Sequence, residues 1–235
     1  MTFYGGAAGH YLPYDVLTAI PAQILLTRDP EQGRPEKDAR LVHNAFLLQF
    51  FVAMPWLKPK QVREARIYGA ANVFKGPLNA HITVPEWAMD ELRRDPAAEL
   101  WQVRFSHMET GGLAIHTFLP RNVVPLLEEY LDLHRPLLAR GNDPGTLFLG
   151  KRGPLGARQL NALIGNLTER FAGRRILPSW VRRAVALSWL KDHPDDYFTL
   201  SRILGLRTIP KFWPRPSASS VMCSFEEWLK NRKRN

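Results

Sequence analysis

The sequence predicts a mainly α-helical protein with a small antiparallel β-sheet inserted among its early helices, an α+β arrangement. Three observations support this. Apolar residues recur at helical spacing in long stretches on both sides of the chain's middle, as in Asp38–Met54 and Leu155–Arg170. Alternation with period two is confined to one region, between Ala65 and Leu119. Two of the alternating runs flank Glu109-Thr110-Gly111-Gly112, a turn-forming tetrad. At 235 residues and 45% hydrophobic content, the chain is long enough to bury one substantial core.

In chain order, Met1–Tyr14 is rich in glycine, alanine and tyrosine and reads as an extended lead-in. Tyr14–Ile24 holds a short helical pattern expected to end around Pro21, and Asp29–Lys37 is a polar loop. In Asp38–Met54, Leu41, Ala45, Leu48 and Val52 repeat with almost no polar break, which predicts a buried core helix. Pro55–Val62 begins another helix with Pro59 in its first turn, and Val62 and Ala65 face the core. Ala65–Phe74 and Asn79–Val84 read as strands, and Glu86–Arg94 as a short amphipathic helix or turn. Trp101–Ser106 and Leu113–Leu119 form the hairpin.

From Val123 the pattern is helical again. Leu126, Leu127, Tyr130 and Leu131 make a stripe that ends at His134-Arg135-Pro136. Asp143-Pro144-Gly145 is a turn, Thr146–Gly150 a short buried segment, and Leu155–Arg170 a helix through Leu160, Leu163, Ile164 and Leu167. Next, Leu177-Pro178 leads into a helix with Ser179 as the expected N-cap and Val181, Val185, Ser188 and Trp189 on its inner face. Arg182 and Arg183 then fall near a helix N-terminus, where backbone N–H groups favour anions. Tyr197–Leu204 is a short helix stopped by Gly205, Thr208–Ser220 is proline-rich and irregular, and Met222–Lys230 is a final amphipathic helix. The domain expectation is a lead-in over 1–30, one domain over 31–220, and a C-terminal helix with a basic tail over 221–235.

The formal charge of +10 points to a polyanionic partner, nucleic acid before membrane surface. The excess is concentrated: 13 Lys/Arg against 5 Asp/Glu between Arg174 and Asn235 leave a net of +8 there. The single cysteine, Cys223, rules out an internal disulfide framework and a cysteine-based zinc site. Met1–Leu12 lacks the charged start and apolar core of a signal peptide, and the apolar run Ala45–Leu57 is too short to span a bilayer. The expected location is the cytoplasm, in a bacterium the nucleoid when bound to DNA. No glycine-rich phosphate loop, metal-spaced His/Cys set or Ser/His/Asp arrangement is present, so no cofactor or metal is expected.

Taken in order, the motifs resemble the catalytic domain of the tyrosine recombinases (phage integrases), the DNA breaking-rejoining fold, from about Tyr14 to Leu229. The resemblance rests on the core helix before Pro55-Trp56-Leu57-Lys58, the hairpin, Phe118-Leu119-Pro120-Arg121 before Leu126–Tyr130, and Thr146-Leu147-Phe148 before Leu160. The most telling pieces are Pro178-Ser179-Trp180-Val181-Arg182-Arg183-Ala184 and Ile203-Leu204-Gly205. In that family two arginines and a His/Trp pair hold the scissile phosphate, a hairpin lysine is the general acid, and a tyrosine attacks phosphorus.

Most of the positions that the resemblance implies have changed chemistry. Lys58 stands where the first arginine is expected, with Gln61 for the usual acidic residue; lysine keeps the charge and loses the bidentate fork. No lysine occurs from Gly76 to Gly150, so the hairpin general acid is missing, and His107 or His116 in that hairpin is more readily structural. Arg182 is retained, but Ser179 replaces the histidine before it and Leu206 the histidine after Leu204-Gly205. The window for the nucleophile holds Phe212-Trp213-Pro214-Arg215, and no tyrosine follows Tyr197. The remnant catalytic positions are therefore Lys58, Ser179, Arg182, Leu206 and Trp213.

The reading is a DNA-binding protein on this fold without strand-transfer activity. It would contact double-stranded DNA through Lys58, Arg174, Arg175, Arg182, Arg183, Arg207, Lys211 and Arg215, alone or within a mobile-element recombination complex. The alternatives are an active recombinase with displaced catalytic residues, or a protein–protein module that regulates an active recombinase. Family members usually carry an N-terminal DNA-clamp domain, for which about 30 residues are too few. The Phe225–Leu229 helix could reach an active recombinase or a second copy.

Overall fold

The computed structural model describes residues 12–29, 33–78, 82–106, 114–141, 143–194, 196, 199–201 and 204. The core is built around α2 (Pro35–Ala53), which opens with proline in its first turn, acidic residues beside it, and then buries almost every apolar side chain it has. α1 (Tyr14–Leu25) packs along it, with Leu17, Ile20 and Ile24 fully buried and the Tyr14 hydroxyl donating to the Val52 carbonyl at 3.2 Å.

α1 does not end at Pro21 but runs through it to Leu25. A proline inside a helix costs about 3 kcal/mol. Burying three large aliphatic side chains returns about 1.5–3 kcal/mol each, so tertiary packing outweighs the local break. After α2 the chain turns through buried Met54–Leu57 into α3 (Pro59–Glu64), where Val62 is buried, as is Ala65 just beyond.

The sheet is three-stranded and antiparallel in the order β1 (Val73–Gly76), β2 (Leu100–Phe105), β3 (Ile115–Phe118). Val73 faces Val103, and Val103 in turn faces Thr117. The hairpin is where alternation placed it, with residues 107–113, His107 among them, outside the described residues. The other strand expectations need correction. Only the end of Ala65–Phe74 joins the sheet; its start makes a single bridge, Arg66 to Thr146, and Leu147 N–H donates to the Ala65 carbonyl at 2.7 Å. Ile67 N–H donates to the Gly145 carbonyl at 2.9 Å, and the Arg66 carbonyl accepts from Asn72 and Val73. In Asn79–Val84, residues 82–84 form no strand, and 79–81 lie outside the described residues. Ile82 instead plugs a small second core with Trp87, Ala88, Leu100 and Phe118, where the Trp87 and Phe118 rings meet edge-on at 6.1 Å. This core holds α4 (Glu86–Arg94) over one end of the sheet.

The helical stripe after Val123 does not stop at Pro136. α5 (Val124–Glu129) passes through a π-turn, Tyr130–His134, into α6 (Arg135–Ala139). The wider turn lets Arg135 N–H reach the Tyr130 carbonyl and spares the bond that Pro136 cannot donate. Partly buried charged groups meet the buried His134 here. Arg28 pairs with Asp38 at 2.8 Å and Glu129 at 2.7 Å, and His134 Nε2 lies 3.2 Å from Glu129. The Arg28 hydrogen bonds hold the Asp38 carboxyl below its ordinary range.

α7 (Ala157–Ala172) and α8 (Pro178–Asp192) complete the bundle, with Val181, Ala184, Val185, Ser188 and Trp189 facing inward on α8. Ser179 is not the N-cap. Pro178 occupies the first helical position, the cap is Leu177 with no side-chain hydrogen bond, and Ser179 is exposed. Of the Tyr197–Leu204 helix, residues 199–201 are helical, and Tyr197 and Gly205 lie outside the described residues, as does everything from 205 to 235. No described helix is long and apolar enough to cross a membrane.

Candidate nucleic-acid interface

The proline at the start of α8 shifts its first turn two residues earlier, so Arg182 sits past the free N–H groups, in the second turn. Its guanidinium also has other work. Nε donates to the Pro55 carbonyl at 2.8 Å, and Nη2 donates to the Leu204 carbonyl. Burial lowers its pKa from the ordinary arginine value. Arg182 thereby ties three separate pieces of chain together: the α2–α3 link, α8, and the segment after α8. Lys58 and Ser179 lie on the first two of these pieces, while Leu206 and Trp213 lie outside the described residues.

The other cations expected at the site differ in how committed they are. Lys58 is exposed at the N-cap of α3, three residues beyond Pro55. Gln61 Oε1 accepts from Lys58 N–H at 2.7 Å, so the neutral amide caps the helix as a carboxylate would. Arg183 is exposed, with its guanidinium 4.5 Å above the Trp180 ring, a cation–π contact along the helix surface. Arg174 is exposed. Arg175, also exposed, is laid along α7: it donates to Asn166 Oδ1 at 2.5 Å and Glu169 Oε2 at 3.2 Å. A Cβ on Gly165 would meet the Arg175 side chain at 3.0 Å, so the glycine is the seat for this arginine. Arg207, Lys211, Arg215, Leu206 and Trp213 lie outside the described residues.

Backbone carbonyls as partners for Arg182 carry no mark in the sequence. The Trp180–Arg183 stack does have one, an aromatic three residues before a cation on a helix. The described tyrosines offer no nucleophile at this junction. Tyr14 and Tyr130 are buried and donate to carbonyls, and burial pushes the Tyr130 phenol up from its ordinary value. Tyr68 is exposed, but beside Arg135 and Gly145. His116 is structural in its contacts: it faces Arg104 across the β2–β3 ladder, with Nε2 3.0 Å from Gln102 Oε1. Among the described residues no His/Cys/Asp/Glu group is arranged to hold a metal ion.

Solved structures share this architecture. The XerH site-specific recombinase bound to difH substrate, a pre-cleavage complex, matches 95% of this chain with a TM-score of 0.54 and 14% identity. The same recombinase bound to palindromic difH substrate, a post-cleavage complex, matches 96% with a TM-score of 0.50 and 13% identity. The fold is that of a tyrosine-recombinase catalytic domain, mostly helical with a small three-stranded antiparallel sheet. The chain spans about half the length of these structures, 52% in each case. By sequence it matches no family model and no curated protein.

Proposed function

We propose that this protein binds double-stranded DNA through the cationic rim of the Arg182 junction and does not transfer strands. The observation that carries the reading is the chemistry left at the junction. Lys58, Arg174 and Arg183 are exposed cations, Arg182 gives donors to backbone carbonyls, and in the sequence no tyrosine follows Tyr197 to attack a phosphate. Exposed cations can neutralise backbone phosphates without any reacting group. Phosphoryl transfer needs a nucleophile, a proton donor and aligned forks together. Arg207, Lys211 and Arg215 add charge from the segment after Leu204, and Arg175 and Arg182 belong to the supporting structure of the rim more than to its outer edge.

The protein would act on or with a mobile-element recombination complex, joined to an active recombinase or a second copy through the Phe225–Leu229 segment. The test is a mobility-shift titration on duplex DNA across a salt series, for wild type and for Arg182→Ala with Arg183→Ala. Salt-dependent binding weakened in the double variant supports the reading, and absence of salt-dependent affinity refutes it. A covalent protein–DNA adduct on a nicked suicide substrate would establish the alternative, an active enzyme with displaced residues. Co-purification with a recombinase in the absence of any DNA affinity would favour the regulatory module.

A further inference from the structure

The outer face of the sheet divides into two halves of different character. Phe74, Gly76, Leu100, Gln102, Arg104, His116 and Phe118 share this face, by the cross-strand register and the period-two alternation. At one end Leu100 and Phe118 are covered by α4 and its Trp87. At the other end Arg104 is exposed and Phe74 and His116 are only partly covered.

The uncovered half is ordered by its own contacts. The Arg104 guanidinium lies 5.1 Å above the Phe74 ring, and the His116 ring sits 6.3 Å from the same phenyl. The Gln102 amide donates both of its protons, to the Gly76 carbonyl at 3.0 Å and the Pro77 carbonyl at 2.9 Å. Its Oε1 can therefore only accept, so His116 carries its proton on Nε2. Each polar group in this corner has one defined orientation.

The charge is one-sided. The three strands contain no aspartate or glutamate, and Arg104 has no ion-pair partner among the described residues. Among the described residues, Glu128 touches the strands on the opposite face, through Lys75 and Trp101. An exposed cation stacked on a phenyl, with no ion-pair partner among the described residues, suits a phosphate oxygen.

We infer that the open half of this sheet face is a second DNA contact, with Arg104 taking a backbone phosphate and Phe74 as its positioning residue. The inference rests on the reading of the protein as a duplex-DNA binder. It adds a contact on an element separate from the Arg182 junction, so a bound duplex would be held at two places and not at one.

The test is fluorescence anisotropy with a labelled duplex over a salt series, comparing wild type, Arg104→Ala, Arg104→Lys, Phe74→Leu and Arg183→Ala. Arg104→Ala should weaken binding about fivefold to tenfold and reduce the salt slope by about one. Arg104→Lys should keep the slope and recover part of the affinity, and Phe74→Leu should weaken binding with the slope intact. Circular dichroism melts of the Arg104 variants should match wild type, because the side chain is exposed. Wild-type affinity and slope in Arg104→Ala, with loss in Arg183→Ala, would overturn this contact and leave the junction reading standing. No salt-dependent affinity in wild type would overturn both.

Discussion

His43 is the buried group whose titration the fold controls most firmly. It sits on α2 with its ring edge-on to Tyr130 and Phe148, at 5.7 and 5.9 Å. Nε2 accepts from the Leu149 N–H at 3.3 Å, and Nδ1 lies 3.0 Å from Asn44 Oδ1. One nitrogen must accept and the other donate, so this environment holds the neutral ring. Burial accordingly brings its pKa down from 6.5 to about 4. In the unfolded chain the ring takes up a proton below about pH 6.5, while in the folded chain it resists until about pH 4. The stability tied to the neutral ring is therefore complete above pH 6.5 and is lost as pH falls toward 4. Full titration corresponds to about 3 kcal/mol, of which about 2 kcal/mol is lost between pH 7 and pH 5. The lowered carboxyls of Asp38, Glu129 and Asp143 act in the same direction but at lower pH, so the window from 7 to 5 isolates imidazoles. His116 is lowered as well, by burial and then by Arg104, and its share stays in both proteins of the comparison.

The assay is urea unfolding of wild type and His43→Leu at pH 7, 6 and 5, with ΔG extrapolated to water. The variant should be less stable at pH 7 by about 1–3 kcal/mol, since the Leu149 N–H loses its acceptor. Its stability should then change with pH by about 2 kcal/mol less than wild type over the window. A wild-type ΔG that is flat from pH 7 to 5, or an unchanged slope in His43→Leu, would refute the assignment.

Other outcomes follow from the junction and its rim. Arg182→Met should cost about 1–3 kcal/mol of stability in chemical denaturation by leaving the Pro55 and Leu204 carbonyls without this donor, although the site was expected to serve DNA. With six rim cations (Lys58, Arg174, Arg183, Arg207, Lys211 and Arg215) and Arg104 reaching phosphates, affinity for duplex DNA should fall about six-thousandfold between 50 and 200 mM salt. Participation of Arg175 and Arg182 as well would raise this above about fifty-thousandfold, which anisotropy titrations would resolve. Incubation with a nicked suicide substrate should give no band of protein covalently joined to DNA on a denaturing gel.

Helices were legible where apolar residues repeat over several turns, as in α2, α7 and α8, because burial then follows from local order. Errors came where a distant segment supplied what local chemistry lacked. The helix runs through Pro21 because α2 covers Leu17, Ile20 and Ile24. Pro136 is tolerated because a π-turn re-routes the hydrogen bonds. Ala65–Ala71 has a strand's pattern without a strand because its partner is the single buried segment after Gly145, not a sheet.

The sequence by itself determined the fold class, the hairpin, the basic excess after Arg174 and the absence of a tyrosine beyond Tyr197, since composition and spacing are properties of the chain alone. Only the tertiary structure decided what each cation does. A guanidinium binds whichever acceptors the fold brings within about 3 Å. Carbonyls from residues 55 and 204, far away in the chain, meet Arg182, Glu169 meets Arg175, and rings meet Arg183 and Arg104. Four similar arginines thereby become a junction tie, a helix strap and two outward-facing cations.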